Sequence, residues 1–133
     1  MRRLTIIILI AFTVTSCFPV HTKDAEKAFE HWAGFKAPDD FEIMEGEYWK
    51  SPHFTYEFEV FLKLKPTEEW WTKLIEQYKL TEDYQLWTAP DKKPIWFMPT
   101  DKMIMYSRHD IVDKSRFFYD KETGLVYIYE VQF

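Results

Sequence analysis

The sequence predicts an α+β domain: an antiparallel sheet of about four to five strands with one or two helices packed on it. Three observations predict it. Residues 53–64 alternate at period two, which marks a strand with one buried and one wetter face. Residues 24–33 and 67–79 carry apolar side chains at helical spacing behind an Asp or Thr able to cap them. Residues 116–120 and 125–133 are β-prone runs joined by Asp120-Lys121-Glu122-Thr123-Gly124, a hairpin loop with Gly124 placed for the left-handed residue such loops need.

From the amino end, residues 1–16 read as a signal peptide, 17–22 as a lipidated tether and 23–133 as the single α+β domain. Met1-Arg2-Arg3 is a short positive start, and residues 4–14 are apolar apart from Thr5 and Thr13. A spanning helix needs ~20 apolar residues, so this run is too short to cross a bilayer. Val14-Thr15-Ser16-Cys17 resembles the lipobox of bacterial lipoproteins: an aliphatic residue, two small ones and a cysteine. The resemblance implies that the Cys17 thiol receives a diacylglycerol, that the Ser16–Cys17 bond is cut, and that the new amino group is often acylated. Two or three long acyl chains (palmitate among them), at ~0.8 kcal/mol per buried methylene, anchor stably where one is marginal. The address expected is the bacterial cell envelope, on the outer membrane where the cell has two, because Phe18 rather than Asp follows the cysteine.

Ala25, Ala28, Phe29, Trp32 and Ala33 make the first helical stripe, with Thr22 or Asp24 as cap and Gly34 as stop. Pro38 marks a connection. Residues 41–49 read as a strand in which Gly46 points to a bulge. Ser51-Pro52 turns the chain into the long strand. There Phe54, Tyr56, Phe58, Val60, Leu62 and Leu64 share one face, and His53, Thr55, Glu57, Glu59, Phe61 and Lys63 the other. Pro66 ends it and Thr67 caps the second helix, whose stripe is Trp70, Trp71, Leu74, Ile75 and Tyr78 and whose first turn holds Glu68 and Glu69. This helix is expected across the inner face of the sheet. Residues 81–102 contain Pro90, Pro94 and Pro99 among large aromatics, and are either functional or hide short strands near 85–87 and 95–97. Residues 102–107 read as a strand and 108–115 as a polar loop. In the last segment Val126 and Ile128 lie opposite Leu125, Tyr127, Tyr129 and Val131, which predicts a central strand covered on both sides.

Composition excludes several activities. The full chain has 17 basic and 22 acidic residues; without Arg2 and Arg3 the mature part carries 15 against 22, a net of −7. Its basic residues form no block, so no nucleic acid partner is expected, and membrane residence must come from lipid on Cys17. The sole cysteine is claimed by that lipid, which removes both disulfides and a thiol nucleophile. Gly34, Gly46 and Gly124 stand alone, which rules out phosphate-cradling glycine loops. His21, His31, His53 and His109 are scattered without ligand spacing, so neither metal nor other cofactor is expected.

Two carboxylates, Glu57 and Glu59, share one side of the long strand with His53; residues two apart there sit ~6.5–7 Å apart, a spacing compatible with glycoside cleavage. Solvated sheet carboxylates paired with lysines on neighbouring strands are the preferred explanation. His109-Asp110 is a similar minor candidate. The stronger pointer is Pro94-Ile95-Trp96-Phe97-Met98-Pro99, stiffened at both ends. Trp87, Trp96, Phe97 and Met98 are the candidate binding residues if they stay exposed; the alternative is that Trp96 and Phe97 close one end of the sheet. The functional expectation is a non-enzymatic, membrane-anchored protein-binding domain, one form of which is an immunity-type inhibitor of a secreted toxin. The alternatives are a carbohydrate or cell-wall module stacking sugars on exposed Trp71, Trp87 or Trp96, and a small glycoside hydrolase using Glu57 and Glu59.

Overall fold

A computed structural model describes residues 19–52, 57–109 and 113–133; the expected signal peptide, Cys17, His53 and Asp110 lie outside them. In chain order the elements are β1 (Val20–Thr22), α1 (Ala25–Ala33), β2 (Glu42–Lys50), β3 (Phe58–Lys65), α2 (Glu68–Tyr78), β4 (Thr81–Glu82), β5 (Ile104–Ser107), β6 (Arg116–Tyr119) and β7 (Val126–Gln132).

The strands form one sheet in the order β1-β2-β3-β7-β6-β5-β4, each neighbouring pair antiparallel. Seven strands replace the four to five expected, and strand outweighs helix at 34% against 19% of the described residues, so the domain is mostly sheet. The difference comes from the edges. β1 and β4 have three and two residues, too few to display an alternation. Only pairing with β2 and β5 makes them strands, and very short edges are also poor templates for intermolecular pairing. Residues Val20–Thr22, expected within the tether, are thus part of the folded sheet.

Both helices start and stop on local signals. The Asp24 carboxylate accepts the Lys27 N–H at 3.0 Å, and Gly34 closes α1 at φ +83° while donating to the Glu30 carbonyl. Thr67 Oγ1 accepts the Trp70 N–H at 3.2 Å; Lys79, not glycine, takes the left-handed position after α2. Ala28 and Phe29 of α1 and Trp71 and Leu74 of α2 pack on one sheet face against Val60, Leu62, Leu64, Val126 and Ile128. The bulge of β2 falls between Ile43 and Glu45, two residues before Gly46. Gly46 has another reason for being glycine: a Cβ there would meet the Ala28 Cβ at 2.9 Å and the Ala25 backbone at 3.1 Å. The missing side chain lets α1 lie close on the sheet.

β7 is the middle strand, with three strands on either side, and residues 126–131 are all buried. Its second face carries Tyr127, Tyr129 and Val131, which join Phe61 and Phe118 in a second core. Among the described residues no helix covers that face. The irregular segment between β4 and β5 does.

Candidate functional site

Residues 83–103 fold as a chain of reverse turns. The Asp83 N–H donates to the Met105 carbonyl at 2.8 Å, and the Asp83 carboxylate accepts the Gln85 N–H at 2.9 Å. The N–H groups of Lys93, Phe97 and Met103 then donate to the carbonyls of Pro90, Pro94 and Thr100 at 3.0–3.1 Å, closing three turns. The ammonium of Lys93 donates to the Phe97 carbonyl at 3.0 Å and ties two of them together. The short strands expected near 85–87 and 95–97 are not formed; turns satisfy the backbone instead.

The four expected binding residues separate by depth. Phe97 is fully buried and meets Phe61 at 5.1 Å and Tyr127 at 5.3 Å, edge to face. It anchors the segment and offers nothing to a partner. Trp87 is half-buried, its ring 5.0 Å from Phe118 and 6.3 Å from Tyr129. Trp96 is half-buried beside Phe97. Met98 is 61% exposed. Ile95 of the same motif is nearly nine-tenths exposed, and two residues the sequence did not single out are as exposed: Tyr84 at nearly nine-tenths and Leu86 completely. Ile95 sits at the tip of the Pro94–Phe97 turn, where its neighbour's burial forces it outward. Large apolar residues without helical or strand periodicity were the available signal for this crest.

Between the two limbs of the segment lies an open groove of about 810 Å3. Its lining includes Tyr84, Leu86, Met98, Met103 and Met105, with the buried Phe97 and Phe118 beneath. Methionine walls are soft and adaptable, which suits contact with a shaped apolar surface. The rim carries both charge signs: Glu82 and Asp101 with Lys102.

Elsewhere several polar groups that sequence reasoning singled out are engaged. Glu59 accepts the Tyr129 hydroxyl at 3.2 Å, so its partner is a tyrosine rather than a lysine. Burial, then the Glu59 charge and hydrogen bond, pushes that phenol well above its ordinary range. His21 meets Glu47 at 3.0 Å, His31 stacks on Tyr48 at 5.1 Å and His109 lies 3.5 Å from the Thr81 hydroxyl. Among the described residues, no three His, Cys, Asp or Glu side chains gather as a metal site would need.

A polar cluster missed by sequence reasoning joins α1, α2 and the central strand. Glu130 is buried on the helix-covered face of β7; the Trp32 indole donates to one carboxylate oxygen and the Arg108 guanidinium to the other, the latter at 3.0 Å. Arg108 also donates to Asp113 at 2.5 Å and lies over the rings of Tyr78 and Phe117 at 5.4 and 5.9 Å. Burial raises the Asp113 carboxyl, but the Ser115 N–H and hydroxyl and the Arg108 charge outweigh it and hold the group below its ordinary value. Burial foremost, then the Glu130 charge, pushes Tyr78 up to about 12 against the pull of Arg108. With both oxygens of each carboxylate held, the cluster is a lock between elements and not an acid–base pair. A charge inside the otherwise apolar run 126–131 was its only trace in the sequence.

Comparison with protein-family models, curated proteins and solved structures gives no match for this chain.

Proposed function

We propose that this chain is a lipid-anchored envelope protein, non-enzymatic, that binds another protein through the groove and crest of residues 83–103. The observation that carries the reading is the pairing of a buried anchor with exposed neighbours: Phe97 locked in the core, Leu86, Ile95 and Met98 held out in solvent on the same pinned segment. A crest fixed in advance loses little conformational entropy on contact, and apolar side chains around a groove are the usual centre of a protein interface. Sugar stacking needs an open indole face; Trp71 is buried, and Trp87 and Trp96 are half-buried in ring contacts. Glycoside cleavage by Glu57 and Glu59 is disfavoured because the Glu59 carboxylate is held by Tyr129.

The test places a photo-crosslinking amino acid at Leu86 or Met98 in living cells and identifies the adduct by mass spectrometry. A single protein adduct, formed from the probe at Met98 and lost with Leu86→Asp, supports the reading, and a secreted toxin is the first partner class to assay by rescue from intoxication. No adduct at either position, with tryptophan fluorescence that responds to a glycan panel, overturns it in favour of sugar binding. The anchor is tested by radiolabelled palmitate, whose incorporation Cys17→Ser should abolish.

A further inference from the structure

Only Phe18 and Pro19 separate Cys17 from the first sheet residue, Val20. At no more than ~3.6 Å per residue, three steps of chain reach ~11 Å. The polar headgroup layer on each side of a bilayer is itself roughly 5–8 Å deep. An acylated Cys17 therefore leaves Val20 almost no freedom to rise from the surface.

The sheet register identifies what stands beside Val20. Val20 pairs with Lys50, Lys50 with Phe58 and Phe58 with Gln132, one row across four strands. Beyond that row lie Pro19, Pro52 and Phe133, all exposed, Phe133 at 78%. Trp49, one residue inside the row, is more than one-third exposed, and Lys114 borders the same hollow as Phe133. Exposed aromatic rings match the chemistry of the membrane interface, where such rings sit at headgroup depth. The opposite end of the sheet is the row Val126, Tyr119 and Ile104. Six steps of chain lead from Gln132 to Val126, ~20 Å at the strand rise. Met103 and Ile104 of the groove stand at that far end.

From this geometry we propose that the domain rests on the lipid surface by the end of the sheet bearing Val20, Lys50, Pro52 and Phe133, which holds Met103 and Ile104 of the groove ~20 Å from that surface. The inference rests on lipidation of Cys17. The net charge of −7 gives the whole domain no attraction to anionic lipid, so the acyl chains hold it and the aromatic end orients it.

The full chain is produced in its lipidated form with Phe133→Cys or Lys102→Cys, each thiol carrying an environment-sensitive fluorophore, in vesicles of phosphatidylethanolamine and phosphatidylglycerol; Lys102 is exposed and lines the groove beside Met103 at the far end. The intact mass reports lipidation of Cys17. The label at 133 should shift to the blue and be quenched several-fold more by headgroup-proximal spin-labelled lipid than the label at 102. A flexible spacer of twenty Gly and Ser residues inserted before Val20 should reduce that difference. Equal quenching at both positions on a lipidated chain overturns the orientation and leaves the anchor standing. An unmodified Cys17 in the mass spectrum overturns both.

Discussion

Replacing Phe97 by alanine separates a segment pinned to the core from one merely lying on it. Phe97 has no exposed surface, and its ring contacts Phe61, Tyr127, Trp87, Trp96 and Phe118 with centroids 5.1–6.4 Å apart. Burying a side chain of this size contributes ~1.5–3 kcal/mol by transfer. The cavity left by truncation adds to that loss, and measured Phe→Ala costs in cores run about 3–5 kcal/mol. Against a total stability of about 5–15 kcal/mol this is a large fraction. With a urea slope near ~2 kcal/mol per molar, the unfolding midpoint should fall by roughly 2 M. The adjacent Met98→Ala removes a side chain that is 61% exposed and should change stability by no more than about 0.5 kcal/mol. Both variants are measured by equilibrium urea unfolding followed by tryptophan fluorescence. A loss under ~1 kcal/mol for Phe97→Ala, or equal losses for the two, would refute the pinned-segment argument and with it the fixed crest.

Gly46→Ala should cost ~1–3 kcal/mol in the same assay, since its Cβ meets Ala28 and the Ala25 backbone with no flexible atom to yield. Tyr78 favours the protonated form in the folded state, so its contribution to stability is complete below pH 10.0 and is lost as pH rises toward about 12; phenolate absorbance should show a tyrosine titrating late that Tyr78→Phe removes. Asp113 has the opposite sign. Its lowered pKa stabilises the fold above the ordinary value of 3.8 and the contribution is lost as pH falls below it, so Asp113→Asn should flatten the acid limb of a stability–pH curve. Leu86→Asp combined with Met98→Asp should leave the melting temperature within about 2 °C while abolishing crosslinking from a probe placed at the exposed Ile95, because neither replaced side chain supports the core.

Much of the fold was legible because its signals are local. Asp24, Gly34 and Thr67 cap where their chemistry places them, and the loop after β6 closes with Gly124 at φ +75° donating to the Asp120 carbonyl. The double-sided apolar pattern of residues 125–131 marks the strand that stands at the centre of the sheet. The binding candidates were half legible: a proline-bounded aromatic cluster drew attention to residues 94–99, but composition gave no depth. Phe97 went in, Ile95 and Met98 went out, and Tyr84 and Leu86 went unremarked because nothing near them repeats.

Periodicity, caps and turn residues located the two helices and, to within a few residues, β2, β5, β6 and β7, whereas β3, expected from residue 53, begins at Phe58. Tertiary structure alone decided the two edge strands, the sorting of the proline-rich segment into anchor and crest, the close seat of α1 on Gly46, and the engagement of Glu130 by Trp32 and Arg108, 98 and 22 residues away in the chain. Those outcomes depend on which distant surface arrives to cover a residue, and burial by a distant partner leaves no period in the sequence to read.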